Sequence, residues 1–194
     1  SDQITMEIRL FDAAEDTMLM GKSYKGPLSE SDQMLYKFTD AVINELTGKP
    51  GLANTQIAFV TQPKDNPGRE ILITDILGRK MRQVTRHRNL VVSPRFSPDG
   101  NQLAYTSYHS GNQNLYVTDL RQSKTTRALS RRKDMNLAPA WSPSGNSLIV
   151  TLSHKGNPDL YQINRSGEII KQLTRRAGIN VSPTFSPDDR HIVF

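Results

Sequence analysis

The sequence has no cysteine among its 194 residues. Disulfides, thiolate metal sites and cysteine nucleophiles are therefore excluded. The absence fits an oxidising compartment without requiring one. No apolar run approaches the ~18 residues of a membrane-spanning helix. No basic-then-apolar leader opens the chain, so it reads as cytosolic or already processed. Acidic residues are the minority charge, 19 against 25 basic ones, giving +6. Turn chemistry is plentiful: 11 Pro and 12 Gly in one or two small domains predict many short strands.

Catalytic signatures are also scarce. Gly21-Lys22-Ser23 has the ending of a phosphate loop, but Asp16 stands where that loop needs glycine, and the stretch reads as strand. No Gly-x-Ser-x-Gly elbow is present. The four His are scattered; His109 and His154 are 45 apart and read as equivalent loop residues rather than metal ligands. No acidic pair has a spacing suited to acid–base work. No catalytic residue, metal site or cofactor is expected.

The chain is dominated by an internal repeat. Ser93-Pro94-Arg95-Phe96-Ser97-Pro98-Asp99-Gly100 returns as Ala138-Pro139-Ala140-Trp141-Ser142-Pro143-Ser144-Gly145, and again from Ser182 to Asp189. The aromatics Phe96, Trp141 and Phe185 are 45 and 44 residues apart. Each motif precedes an apolar run (103–106, 148–151, 192–194). A second run (115–119, 160–163) and a short closing piece (128–130, 172–174) follow. An earlier copy lies at 57–61, 71–75 and 83–85. A period of about 40–45 residues holding four short β-rich runs is the signature of a propeller blade. The repeated aromatics are expected to fill the wedge between blades. The fold class is thus mainly β, with WD-type blades. The first copy lacks its opening strand and the last stops inside one. The sequence therefore reads as a fragment of a longer protein with about three blades at 57–194, and such a fragment is expected to be either marginally stable or self-associating.

Residues 1–50 lack the repeat. Ile4, Met6, Ile8 and Leu10 alternate as a half-buried strand, with a hairpin partner from Thr17 to Tyr24. Ser29 to Asp32 reads as a helix cap. Leu35, Phe38, Val42 and Leu46 share one helical face, and Gly48 and Pro50 end the helix. This β-β-α segment reads as the end of an α/β domain, joined by a linker at 51–56.

The basic residues cluster in 79–88, 121–133 and 171–176, which hold 14 of the 25 and no Asp or Glu. Lys124 and Arg176 are among them. Arg86, Arg131 and Arg175 share one phase of the repeat and are expected side by side, with Arg88, where a fourth strand leads to the next blade. A basic rim attracts an acidic partner and speeds encounter. Nucleic acid is disfavoured because no aromatic is interleaved with these loops. The neighbouring residues are apolar (Leu90, Met135, Leu137, Ile179, Val181), which suits a protein partner.

The blade pattern resembles the TolB propeller family of the Tol-Pal envelope system. It runs Ser-Pro-x-aromatic-Ser-Pro-Asp-Gly, then Asn114-Leu115-Tyr116-Val117-Thr118-Asp119-Leu120, then Gln-Leu-Thr. Propellers of prolyl-oligopeptidase-like serine peptidases share the blade motif, and such a propeller is the alternative reading. The segment Lys22-Ser23-Tyr24-Lys25, the helix end Leu46-Thr47-Gly48 and Ile57-Ala58-Phe59-Val60 favour the TolB family. The resemblance implies a six-bladed periplasmic propeller behind an α/β domain, without enzymatic activity. It implies binding of the lipoprotein Pal at the propeller mouth and of TolA through an N-terminal segment absent from this sequence, with no membrane insertion. It further implies roles in outer-membrane integrity, cell division, protein transport and bacteriocin import. The family's Pal-contacting loops correspond here to Val91 and Ser93, to Met135, Asn136 and Ala138, and to Asn180 and Val181. Met135 stands where the family is expected to have His.

Overall fold

The structure is a computed structural model describing residues 2–62, 64, 67–121, 125–153, 156–175 and 178–194. His154, Lys124 and Arg176 lie outside these. The chain divides into two compact units, 1–57 with 74–80, and 58–73 with 81–194.

In the first unit, strands β1 (Gln3–Asp12) and β2 (Thr17–Pro27) form an antiparallel hairpin. Asp12 closes its turn by accepting a hydrogen bond from the Ala14 amide at 2.8 Å. Helix α1 spans Ser31–Thr47 and ends at Gly48, whose φ of +66° is the left-handed conformation that glycine takes freely.

Two expectations for this helix need correction. No side chain caps it. A single 3-10 turn, Leu28–Glu30, leads directly in, and the Ser31 amide bonds the Leu28 carbonyl. Backbone therefore satisfies a donor that a cap would otherwise take. The buried face also lies one residue round from the expected stripe. Met34 is buried, Phe38 and Val42 are half-buried, and Leu35 and Leu46 are 46% and 62% exposed. Gly26 makes room for Met34: a Cβ there would lie 2.8 Å from Met34 Cε.

The second unit is built of antiparallel sheets in chain order. β3 (Gln56–Thr61), β4 (Glu70–Asp75) and β5 (Arg82–Gln83) form the first. Two four-stranded sheets follow. One comprises β6 (Val91–Phe96), β7 (Gln102–Ser107), β8 (Asn114–Asp119) and β9 (Thr126–Ser130). The other comprises β10 (Asn136–Trp141), β11 (Ser147–Leu152), β12 (Asp159–Asn164) and β13 (Ile169–Gln172). β14 (Thr184–Phe185) and β15 (Ile192–Val193) pair beyond them. These are the blades that the repeat predicts.

The sheets pack face on face. Ile71 and Ile73 of the first meet Val91, Leu103, Tyr105 and Tyr116 of the second. Ala104, Leu115 and Val117 of the second meet Trp141, Leu148, Val150 and Ile163 of the third. Trp141 fills the wedge as expected, 8% exposed, and its Nε1 donates to the Arg95 carbonyl at 3.2 Å. The Ser-Pro motif folds each turn the same way. The Ser97, Ser142 and Ser186 amides reach the carbonyls of Gln102, Ser147 and His191 at 2.8–2.9 Å. The Ser97 hydroxyl and Asn101 bond Asp99 and hold its carboxyl down to about 2.

Candidate partner-binding site

The antiparallel order brings two kinds of loop to one end of the sheets: those leading from a fourth strand to the next first strand, and those joining second and third strands. Buried polar side chains hold the first kind. Glu70 is 0% exposed. It accepts from the Thr85 hydroxyl at 2.6 Å and from the His87 and Arg88 amides at 3.1 and 2.7 Å. Two blades on, Asp159 accepts from Thr174 at 2.8 Å, Gln172 at 3.2 Å and Asn180 at 3.3 Å. At the start of β10 the Asn136 amide group donates to the carbonyls of Gln113, Arg132 and Asp134 at 3.0, 2.7 and 3.1 Å. A carboxylate or amide that is buried but fully bonded fixes a loop at low cost, whereas unpaired it would be expensive.

The predicted contact residues separate into three groups. Val91, Asn136 and Asn180 are 0%, 0% and 4% exposed. Val91 packs in the core, and the two Asn brace loops from inside. They share one phase of the repeat, and that phase points inward. Ser93 and Ala138 are half-buried. With Ser182 they have φ of +55°, +49° and +56°, each before a proline. The strand register shifts at Val92/Arg95 and at Leu137/Ala140, so each first strand carries a bulge there. Arg86, Arg131, Arg175 and Val181 are exposed and Met135 is half-buried. Arg86, Arg131 and Arg175 have no ion-pair partner among the described residues.

Much of the remaining basic excess is engaged in the fold. Arg121 pairs with Asp119 at 2.6 Å and Lys80 with Asp32 at 3.0 Å. Arg127 donates to the Arg165 carbonyl. Arg132 donates to Ser130 Oγ at 2.8 Å and to the Gly167 carbonyl at 2.9 Å. Asp134 stands directly after the basic window, so the rim is not of one sign.

Two features at this end were not legible in the sequence. His87 and His109, which fall in different phases of the repeat, lie against each other with ring centroids 4.2 Å apart and planes tilted by 43°. Ser107 Oγ bridges them, 2.7 Å from His87 Nδ1 and 3.2 Å from His109 Nδ1. Burial, and secondarily the neighbouring His109, push the His87 imidazole below its ordinary pKa. The second feature is a pair of equivalent crevices. One, of about 410 Å³, lies between Gly68, Arg69 and Arg88 to Leu90. The next, of about 360 Å³, lies between Tyr108, Gly111 to Gln113, Asp134, Met135 and Ser153. Their residues come from loops of both kinds, and only the strand order shows that these loops share an end. Gly68 permits the first crevice: a Cβ there would lie 2.2 Å from the Asn89 nitrogen. Among the described residues no three His, Asp or Glu side chains converge on a metal position.

Residues 43–194 match the family described as the TolB beta propeller domain. The chain belongs to the TolB β-propeller family. It is 60% identical over 191 residues to the Tol-Pal system protein TolB of Desulfotalea psychrophila (strain LSv54 / DSM 12343), covering 98% of this chain and 33% of that protein. The crystal structure of TolB from Acinetobacter baumannii superposes with a TM-score of 0.83 at 28% identity, over 97% of this chain and 47% of that one. The chain thus spans a third of the curated TolB and about half of the crystallised one. The propeller domain of the Trilobed protease from Pyrococcus furiosus matches 63% of this chain and 40% of that one, with a TM-score of 0.50. At 19% identity that likeness shows the fold alone.

Proposed function

We propose that the chain is part of a non-enzymatic, periplasmic binding scaffold of the Tol-Pal system. In this reading it holds a Pal-like peptidoglycan-associated lipoprotein at the loop end of its blades and so supports outer-membrane integrity and cell division. TolA is its second partner, bound through another segment. The observation that carries the reading is the TolB family match across the blades, supported by relatives named as Tol-Pal system proteins. The loop end supports it physically. Met135 and Val181 supply apolar surface inside a rim of Arg86, Arg131 and Arg175, the arrangement of a desolvated centre with a charged border.

The test is calorimetry between the whole protein and the soluble domain of the Pal-like lipoprotein of the same organism. Met135→Arg, at the loop end, is expected to weaken binding by at least about ten-fold. Ser144→Arg, on an exposed turn at the other end of its strands, is expected to leave it unchanged. Equal effects of the two would contradict the placement, and no binding by the unaltered protein would contradict the function.

A further inference from the structure

We infer that His87, Ser107 and His109 form an acid-sensitive clamp between two loops of the loop end, and that a partner protein binds the clamped form. This rests on the partner-binding reading of that end. His87 stands in the loop from β5 to β6, and His109 in the loop from β7 to β8. Residues beside each ring line a crevice: Arg88 to Leu90 the first, Tyr108 and Gly111 the second. The clamp therefore joins a wall of one crevice to a wall of the other. Two further hydrogen bonds link the same loops. The Tyr108 amide donates to the Leu90 carbonyl at 3.0 Å, and Asn89 Nδ2 donates to the Tyr108 carbonyl at 3.1 Å.

The chemistry of the bridge makes it sensitive to protons. Ser107 Oγ lies between the two Nδ1 atoms. A hydroxyl has one proton, so it donates to one ring and accepts from the other. One added proton, on Nε2 of the donating ring, leaves this arrangement intact. A second turns the accepting Nδ1 into a donor, and the hydroxyl proton loses its acceptor. It also sets two positive charges on rings whose centroids are 4.2 Å apart, a like-charge contact that disfavours the doubly charged pair. His87 is half-buried, which opposes its charged form further. The titratable groups facing His87 from the packed elements are Glu70 of β4, Tyr105 of β7, Tyr116 of β8 and His109. Arg86 and Arg88 flank it in its own loop. Glu70 is the one negative charge in this set, and its carboxylate already accepts from Thr85 and from the His87 and Arg88 amides. It balances one proton and not two. Acid therefore drives the rings apart, with the loops that carry them. A partner that needs both walls in place then binds more weakly, and by linkage its binding expels protons.

The experiment is calorimetry of the whole protein with the soluble Pal-like domain from pH 7.5 to pH 5. Affinity should fall by at least about ten-fold across that range. Measured in two buffers of different ionisation enthalpy, binding at pH 5.5 should release more protons than binding at pH 7.5. His109→Gln removes one of the two charges at an exposed position and keeps a polar amide beside Ser107. It should hold the pH dependence within about three-fold and abolish the extra proton release, and His87→Gln should do the same. Hydrogen exchange of the whole protein without the partner gives a second readout. Corrected for intrinsic rates, the Tyr108 amide should lose protection at pH 5 relative to pH 7.5, and His109→Gln should retain it. If the unaltered protein binds equally well at both pH values, or if both variants lose affinity as steeply as it does, this inference fails while the proposed function stands. If the unaltered protein does not bind at pH 7.5, the proposed function fails and takes the partner half of this inference with it. Exchange then decides the clamp alone, and Tyr108 protection that is unchanged at pH 5 overturns it.

Discussion

Val91, Asn136 and Asn180 show what one residue's phase in a repeat does and does not reveal. Spacing places all three in the right loops, but only the fold shows that this phase faces inward. Glu70 and Asp159 were equally hidden, because a carboxylate at a strand start reads as solvated surface until the Thr85 or Thr174 hydroxyl lies on it. The His87–Ser107–His109 bridge was invisible for another reason: its members come from two sheets and different phases. It carries a pH consequence. His87 is faced by His109 and the rings of Tyr105 and Tyr116, with Glu70 nearby as the opposing charge. Its folded pKa lies below the ordinary 6.5, so the unfolded chain takes up the proton first as pH falls. Stability from the neutral imidazole is complete above about pH 7.5. It declines as pH falls through 6.5 and levels off below the folded pKa. Melting followed from pH 8 to pH 5 should therefore fall less steeply in His87→Gln. An identical slope would show that burial of this ring is not what sets it.

At the scale of elements, the strands were the most legible part. Alternating apolar runs with Ser-Pro turns between them locate each blade strand within a few residues, because β-branched and aromatic side chains on a pleated surface leave that period. The helix was less legible. Its existence and its end at Gly48 follow from local chemistry, yet its buried face is set by what packs on it, and Met34 rather than Leu35 meets Gly26. The wedge between blades depends on one large side chain. Trp141 is buried among Ala104, Leu115 and Val117 of the neighbouring sheet and holds the Arg95 carbonyl. Trp141→Ala should lower stability by about 3–5 kcal/mol, read as a large drop in the denaturation midpoint. A loss below about 1 kcal/mol would mean that the blades are not joined through this contact.

At the scale of the molecule, net charge was the most misleading quantity. Composition suggests a positive rim, but Arg121, Arg127, Arg132 and Lys80 serve the fold, and Asp134 interrupts the rest. What the rim presents is a pattern, and only strand order shows which loops contribute to it. The central claim is that the loop end of the blades is the docking surface for a Pal-like lipoprotein. Hydrogen exchange of the whole protein, with and without the soluble Pal-like domain, tests it most directly. The account predicts added protection at 86–93, 108–113 and 131–138, and none at the opposite turns, 97–101 and 142–147. Protection confined to those opposite turns would contradict it.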